Sequence, residues 1–158
     1  MIRAIVAIDS KNGIAKNGVI PWKLVEDLSN FKKITANTTV LMGQKTFDSI
    51  GKALPSRQNV IVSRTQKNID GLICITNPIL YLNNFIGDIW VIGGASIYRQ
   101  TLDLIEELHV TRVEPSYDCD KFFPEFDNKF NLIKTDKKVT ENGQKYEFQI
   151  WRRKSTEN

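Results

Sequence analysis

Three times along the chain a short apolar strand ends in groups suited to an anion, and that repetition most constrains the fold. Thr38-Thr39-Val40-Leu41-Met42 stops at Gly43 and passes into residues 44–50, a short helix closed by Gly51. The strand at 59–62 ends in Ser63-Arg64-Thr65-Gln66-Lys67, a hydroxyl-rich basic loop. Ile89-Trp90-Val91-Ile92 runs into Gly93-Gly94-Ala95-Ser96 and a helix expected over 97–105. Where a strand hands over to a helix, free backbone N–H groups and the helix dipole point the same way. In open α/β sheets, ligands bind beyond the carboxyl ends of strands, so these three ends should converge on one crevice. A dinucleotide, extended and carrying several phosphates, is the expected occupant. The twin glycine is not the spaced-glycine Rossmann fingerprint, but it lets the backbone come very close to a ligand.

The other segments fill out an α/β pattern. Ile2–Ile8 is a nearly continuous apolar run and reads as a central strand of a parallel sheet. The polar loop at 9–19 carries turns at Asn12-Gly13 and Asn17-Gly18, and reads either as a functional lid or as plain disordered chain. Leu54-Pro55-Ser56-Arg57-Gln58 is a turn. Leu72–Ile75 is a brief strand, Pro78 opens a helix running to Phe85, and 108–113 is another strand. Within that last strand, His109 and Thr111 are ordinary strand residues on pattern alone. Residues 132–139 and 146–151 alternate around Glu141-Asn142-Gly143-Gln144, which predicts an antiparallel hairpin on the sheet. Residues 155–158 read as a frayed tail.

A length of 158 residues suits one domain spanning 1–158 with its own core. Hydrophobic content of 41% and charged content of 25% are those of a soluble globule. The net charge of +4 comes from scattered basic residues, with no aromatic-interleaved basic stripe, so nucleic acid is not the expected partner. Cys74, Cys119 and the single His109 lack metal-ligand spacing, and no metal is expected. Without a disulfide framework, a signal peptide or an apolar run near the roughly 20 residues of a membrane span, the expected location is cytoplasmic.

The stretch from Ile20 to Ile34 carries the chemistry. Wound as a helix, it puts Leu24, Leu28, Phe31, Ile34 and Thr35 on one side. Asp27 falls inside that apolar arc, three residues after Leu24 and four before Phe31. One reading makes Asp27 a helix-start residue meeting the dipole after Pro21. The other makes it a carboxylate at the base of an apolar pocket, ready for a ligand with paired N–H donors. An unpaired buried charge costs several kcal/mol, so a retained one needs a partner.

Pro21-Trp22, Asp27-Leu28 and Phe31-Lys32 at this spacing resemble the active-site segment of the dihydrofolate reductase family. Met42-Gly43 before Lys45-Thr46-Phe47, Ser49-Ile50-Gly51, Leu54-Pro55 with Arg57, Val91-Ile92-Gly93-Gly94 with Tyr98, and Phe123-Pro124 extend the likeness over the whole chain. The resemblance implies a mixed, mainly parallel eight-stranded sheet with about four helices and a C-terminal antiparallel hairpin. It implies a monomer that uses NADPH to reduce dihydrofolate to tetrahydrofolate for one-carbon metabolism.

By position, the resemblance assigns Asp27 and Trp22 to the catalytic centre, with Thr111 supporting Asp27. Ile5, Ala7, Leu28, Phe31 and Ile50 would surround the pterin and aminobenzoyl parts. Arg57 would pair with the glutamate α-carboxylate, with Lys32 and Lys52 nearby. Ala7, Ile14, Ile20, Gly43, Lys45, Thr46, Ser63, Arg64, Thr76, Ile92, Gly93, Gly94, Ala95, Ser96, Ile97 and Tyr98 would hold the cofactor, with the Gly93–Gly94 peptide cis. Hydride would pass from nicotinamide C4 to pterin C6 while water admitted near Ile20 and Trp22 protonates N5.

The chain departs from the family pattern in places: Gln44 stands where Arg is common, Val25 for a frequent Pro, Ala15 for Gly, and Ile20 for Met or Leu. A riboflavin-pathway reductase of related fold would not need Asp27, Phe31 and Arg57 together. A non-catalytic nucleotide-binding module would not place a carboxylate where polyanions are bound.

Overall fold

The computed structural model describes residues 1–65, 69–140 and 142–155. The end of the expected 63–67 loop, Glu141 of the hairpin turn, and residues 156–158 of the tail lie outside the described residues. One eight-stranded sheet organises the rest, in the order β5-β4-β3-β6-β1-β7-β10-β9. Its strands are β1 Ile2–Ile8, β3 Thr39–Gly43, β4 Gln58–Val62, β5 Leu72–Ile75, β6 Ile89–Gly93, β7 Glu107–Val113, β9 Phe130–Val139 and β10 Lys145–Arg153. All pairings are parallel except those of β10 with β7 and β9, so the expected C-terminal hairpin is the antiparallel addition.

β1 lies inside the sheet between β6 and β7, both parallel to it, as its nearly continuous apolar run predicts. Register then sorts its side chains. Ile5 pairs with His109 and Ala7 with Thr111, so these four share a face. Ile5 leads a cluster with Val40, Met42, Ile61 and Trp90, against which Phe31 and Ile34 of helix α1 (Val25–Thr35) and Phe47 of α2 (Gln44–Ile50) pack. On the opposite face Ala4, Val6 and Ile8 join Leu82 of α3 (Pro78–Asn84) and Ile97 and Tyr98 of α4 (Ala95–Thr101). Phe123, Phe126 and Phe130 complete that face, with Phe126 edge-on to Trp151 at 4.9 Å.

Several boundaries differ from the sequence reading. α1 begins at Val25, not at Ile20 or Trp22: Leu24 is its N-cap, in an extended conformation, and no side chain caps the helix. Leu24 and Trp22 are instead buried with Val113 and Tyr146, in a cluster that non-helical backbone can reach. The helix expected over 97–105 starts at Ala95 and ends at Thr101, with a 3₁₀ turn at Leu102–Leu104, because Gly94 is its N-cap. The 9–19 loop is not structureless. Gly13–Ala15 forms β2, paired antiparallel with β8 at Lys121–Phe122. A three-residue strand has too little alternation to be read from sequence.

Gly51 behaves as its position predicts, closing α2 in the left-handed conformation at φ 85° with its N–H on the Phe47 carbonyl. Among the described residues no helix is long and apolar enough to cross a membrane.

Candidate active site

Asp27 occupies the first turn of α1, yet it does not cap that helix. It is half-buried, and its Oδ1 accepts a hydrogen bond of 2.5 Å from the Thr111 hydroxyl. Burial pushes the carboxyl above its ordinary range, and the Thr111 bond pulls the other way. The helix start supplies the place of Asp27, and β7 supplies its hydrogen-bond partner. Thr111 is buried, and the β1–β7 register sets it beside Ala7, on the face that carries Ile5.

Around the carboxylate the expected apolar positions are of two kinds. Ile5 is buried, and Phe31 packs against its cluster. Leu28 and Ile50 are exposed, at 56% and 36%, as large apolar side chains on a ligand cleft can be. Trp22 is buried, with its ring 5.3 Å from that of Tyr117. Ile20 is exposed, and Ile14 packs partly against the core.

Arg57 is fixed to the far end of α1. Its Nε donates to Thr35 Oγ1 at 2.9 Å, and its two terminal nitrogens donate to the Lys32 carbonyl at 3.0 Å and the Pro55 carbonyl at 2.6 Å. The guanidinium lies 5.9 Å over the Phe31 ring. Lys32 and Lys52 are exposed. Asn59, fully buried, holds the preceding turn by bonding Leu54 N–H, the Leu54 carbonyl and the Arg57 carbonyl. A polar residue inside an apolar strand was the available signal for Asn59, and the sequence reading missed it.

The parallel strands β3, β4, β5 and β6 end, in that order, at Gly43, before Ser63, before Thr76 and at Gly93. The Gly93–Gly94 peptide is cis, and Gly93 has φ 122°. A side chain at Gly94 would meet Thr46 Oγ1 at 3.4 Å, and one at Gly93 would meet the Tyr98 ring at the same distance. The glycine pair thus leaves a backbone surface facing Thr46 where a Cβ would intrude. Tyr98 is buried and donates its hydroxyl to the Ile5 carbonyl at 2.6 Å; burial, and then the Asp27 charge, raise its pKa.

Other expected cofactor positions differ in what they can offer. Ile97 is a core residue whose side chain packs on Gly43. Lys45, Arg64, Thr76 and Ser96 are exposed, Ala95 and Ile92 half-buried. The Ser63 hydroxyl accepts from the Thr65 N–H at 3.2 Å. The departing residue Gln44 donates its amide to Asp48 at 2.8 Å, along its own helix.

Asp9 is a second carboxylate that the sequence reading passed over. Fully buried, it accepts from the backbone N–H groups of Lys11, Gly13 and Tyr117 at 2.9, 2.7 and 2.9 Å. Burial alone would raise its pKa, but these three bonds outweigh it and hold the carboxyl below its ordinary value. Asp9 thereby ties the start of the 9–19 loop to the chain after β7. Its position just before an Asn-Gly turn was the only sequence signal. The His109 ring bonds Glu107 at 2.7 Å.

Fold and site together define an α/β protein with a strand-tethered carboxylate on one face and a glycine bend at the strand ends. The dihydrofolate reductase family model matches residues 1–153. The dihydrofolate reductase of Bacillus subtilis is 33% identical over 99% of this chain and 96% of its own length. That of Buchnera aphidicola is 37% identical over 80% of this chain and 79% of its own. A solved Enterococcus faecalis dihydrofolate reductase, complexed with NADP(H) and RAB-propyl, has the same fold. It superposes with a TM-score of 0.87 at 24% identity, covering 98% of this chain and 97% of that one. The chain belongs to the dihydrofolate reductase family, and it is an oxidoreductase of that class.

Proposed function

We propose that this protein reduces dihydrofolate to tetrahydrofolate with NADPH, supplying tetrahydrofolate for one-carbon metabolism. The observation that carries the reading is the half-buried Asp27 carboxylate held by Thr111. A carboxylate on an apolar face offers two oxygens to the paired amino and ring N–H donors of a pterin. Leu28, Phe31 and Ile50 present apolar surface to the flat ring system, with Ile5 and Ala7 beneath. Arg57, pre-set by its three hydrogen bonds, keeps a guanidinium edge for the glutamate carboxylate.

The residues at the strand ends fit NADPH. The glycine pair leaves backbone room beside Thr46, and Lys45 and Arg64 offer exposed cations for phosphate. When bound, NADPH supplies the hydride. The chain's own part is to hold the pterin through Asp27 and Thr111, to bury Trp22 beside the loop, and to leave exposed Ile20 where water can deliver the proton to N5. The proposal extends to a single domain working as a monomer in the cytoplasm, without nucleic acid or membrane as partner; Cys74 and Cys119, neither of them in a disulfide, suit a reducing compartment.

The test is dihydrofolate-dependent loss of NADPH absorbance with the purified protein. Saturable turnover supports the reading. Turnover of a ribosylaminopyrimidine substrate alone would reassign it to riboflavin synthesis, and nucleotide binding without turnover would make it a binding module.

A further inference from the structure

The start of α1 lacks a side-chain cap, although the catalytic carboxylate stands in its first turn. Two hydroxyls from adjacent strands hold that turn instead. Thr111 of β7 donates to Asp27, and Tyr146 of β10 donates to the carboxylate of Glu26, the neighbouring residue. The two donors come from paired strands: β10 runs antiparallel to β7, with Tyr146 opposite Val113 and Phe148 opposite Thr111. Tyr146 is itself immobilised. It is buried in the cluster of Trp22, Leu24 and Val113, and its ring meets Phe148 edge-on at 5.4 Å. Glu26, by contrast, is exposed, so its carboxylate gains nothing by facing a tyrosine except the bond itself.

We infer that Tyr146 is a positioning residue for the reaction: through Glu26 it fixes the first turn of α1 so that Asp27 stays in register with Thr111. The inference rests on the dihydrofolate reductase reading for its kinetic consequence, but the clamp itself does not. Thr111 from β7 bonds Asp27, Tyr98 from α4 and Tyr146 from β10 feel its charge, and the Glu26 carboxylate next in sequence is turned to Tyr146. Burial and then the Glu26 bond push the Tyr146 hydroxyl up to about 12, so it stays a donor throughout the working range. The Thr111 bond favours the ionised form of Asp27. Loosening the turn changes both that bond and the burial of the carboxyl, the larger of the two influences, so the Asp27 titration should move.

The test compares Tyr146→Phe, Glu26→Ala and the double variant in two assays. One follows the Asp27 carboxyl by ¹³C NMR titration of the protein alone. The other measures kcat/KM for dihydrofolate against pH. Each single variant should displace the Asp27 titration from its wild-type position and lower kcat/KM at neutral pH about fivefold, and the double variant should be no worse than either. Glu26→Gln, which keeps an acceptor oxygen, should recover most of the loss. An unmoved Asp27 titration in Tyr146→Phe overturns the inference, as does a double variant whose effects multiply. If no variant or wild type reduces dihydrofolate, the functional reading fails while the NMR titration still decides the clamp.

Discussion

Thr111 Oγ1 and Asp27 Oδ1, 84 positions apart in sequence, lie 2.5 Å apart and join strand β7 to the first turn of α1. One partner belongs to the sheet and the other to a helix that packs on it. The bond therefore fixes how the carboxylate stands above Ala7, the register partner of Thr111.

Replacing Asp27 separates stability from activity. Its folded-state pKa is raised, so the group favours folding below its ordinary pKa and loses that contribution as pH rises through the raised value. At neutral pH the desolvated charge opposes folding. Asp27→Asn removes the charge, so thermal denaturation at neutral pH should give a Tm no lower than wild type. In the same protein, kcat/KM should fall by about a hundredfold or more, the scale of losing a charge-assisted two-point hold on the reacting ring. A variant near wild type in turnover would take Asp27 out of the mechanism.

Arg57 should govern binding more than the chemical step. Arg57→Lys keeps the charge but loses the planar fork and its bonds to Thr35, Lys32 and Pro55. The KM for dihydrofolate should rise about tenfold or more, with kcat within about twofold, because binding is lost equally from ground and transition states. A pterin lacking the glutamate tail should show no such difference between the two proteins. The lost anchors should lower stability by about 1–3 kcal/mol in urea denaturation.

Asp9 is the residue whose removal should cost most outside the site. Asp9→Ala leaves three backbone N–H groups without their acceptor, of which the buried one of Gly13 costs about 1–3 kcal/mol and the two half-buried ones less. Because the Asp9 pKa is depressed, its contribution is present above the ordinary carboxylate value and is lost as pH falls through the folded-state value. Wild type should therefore lose stability in acid more steeply than Asp9→Asn does. Parallel urea titrations across the acid range would show it.

Arg64 is the exposed cation beside Ser63 at the end of β4, and the position of Gln44 offers no guanidinium in its place. Arg64→Ala should raise the KM for NADPH by about tenfold and leave NADH nearly unchanged, since only the former carries the 2′-phosphate. Unchanged preference between the two cofactors would remove Arg64 from that role.

Local chemistry made much of the architecture legible. Gly51 closes α2 because a left-handed C-terminal position favours glycine, and 72–75 was a strand in sequence and in space for the same short-range reasons. β3 and β6 end at glycines as expected, and β1 announced its central place by a nearly continuous apolar run. Even the suspicion about Asp27 needed only helical spacing and the cost of burying a charge. The three-residue strand β2, the late start of α1 and the carboxylate of Asp9 were lost to the reading, since each depends on backbone partners far along the chain.

The sequence alone thus determined most of the helices and strands, and that Asp27 had to find a partner, because periodicity and turn chemistry act within a few residues. The tertiary structure decided who that partner is, how Arg57 is anchored to Thr35 and Lys32, and that Tyr146 meets Glu26. Those pairings arise from strand register and sheet order, which are settled only when distant apolar faces are buried together.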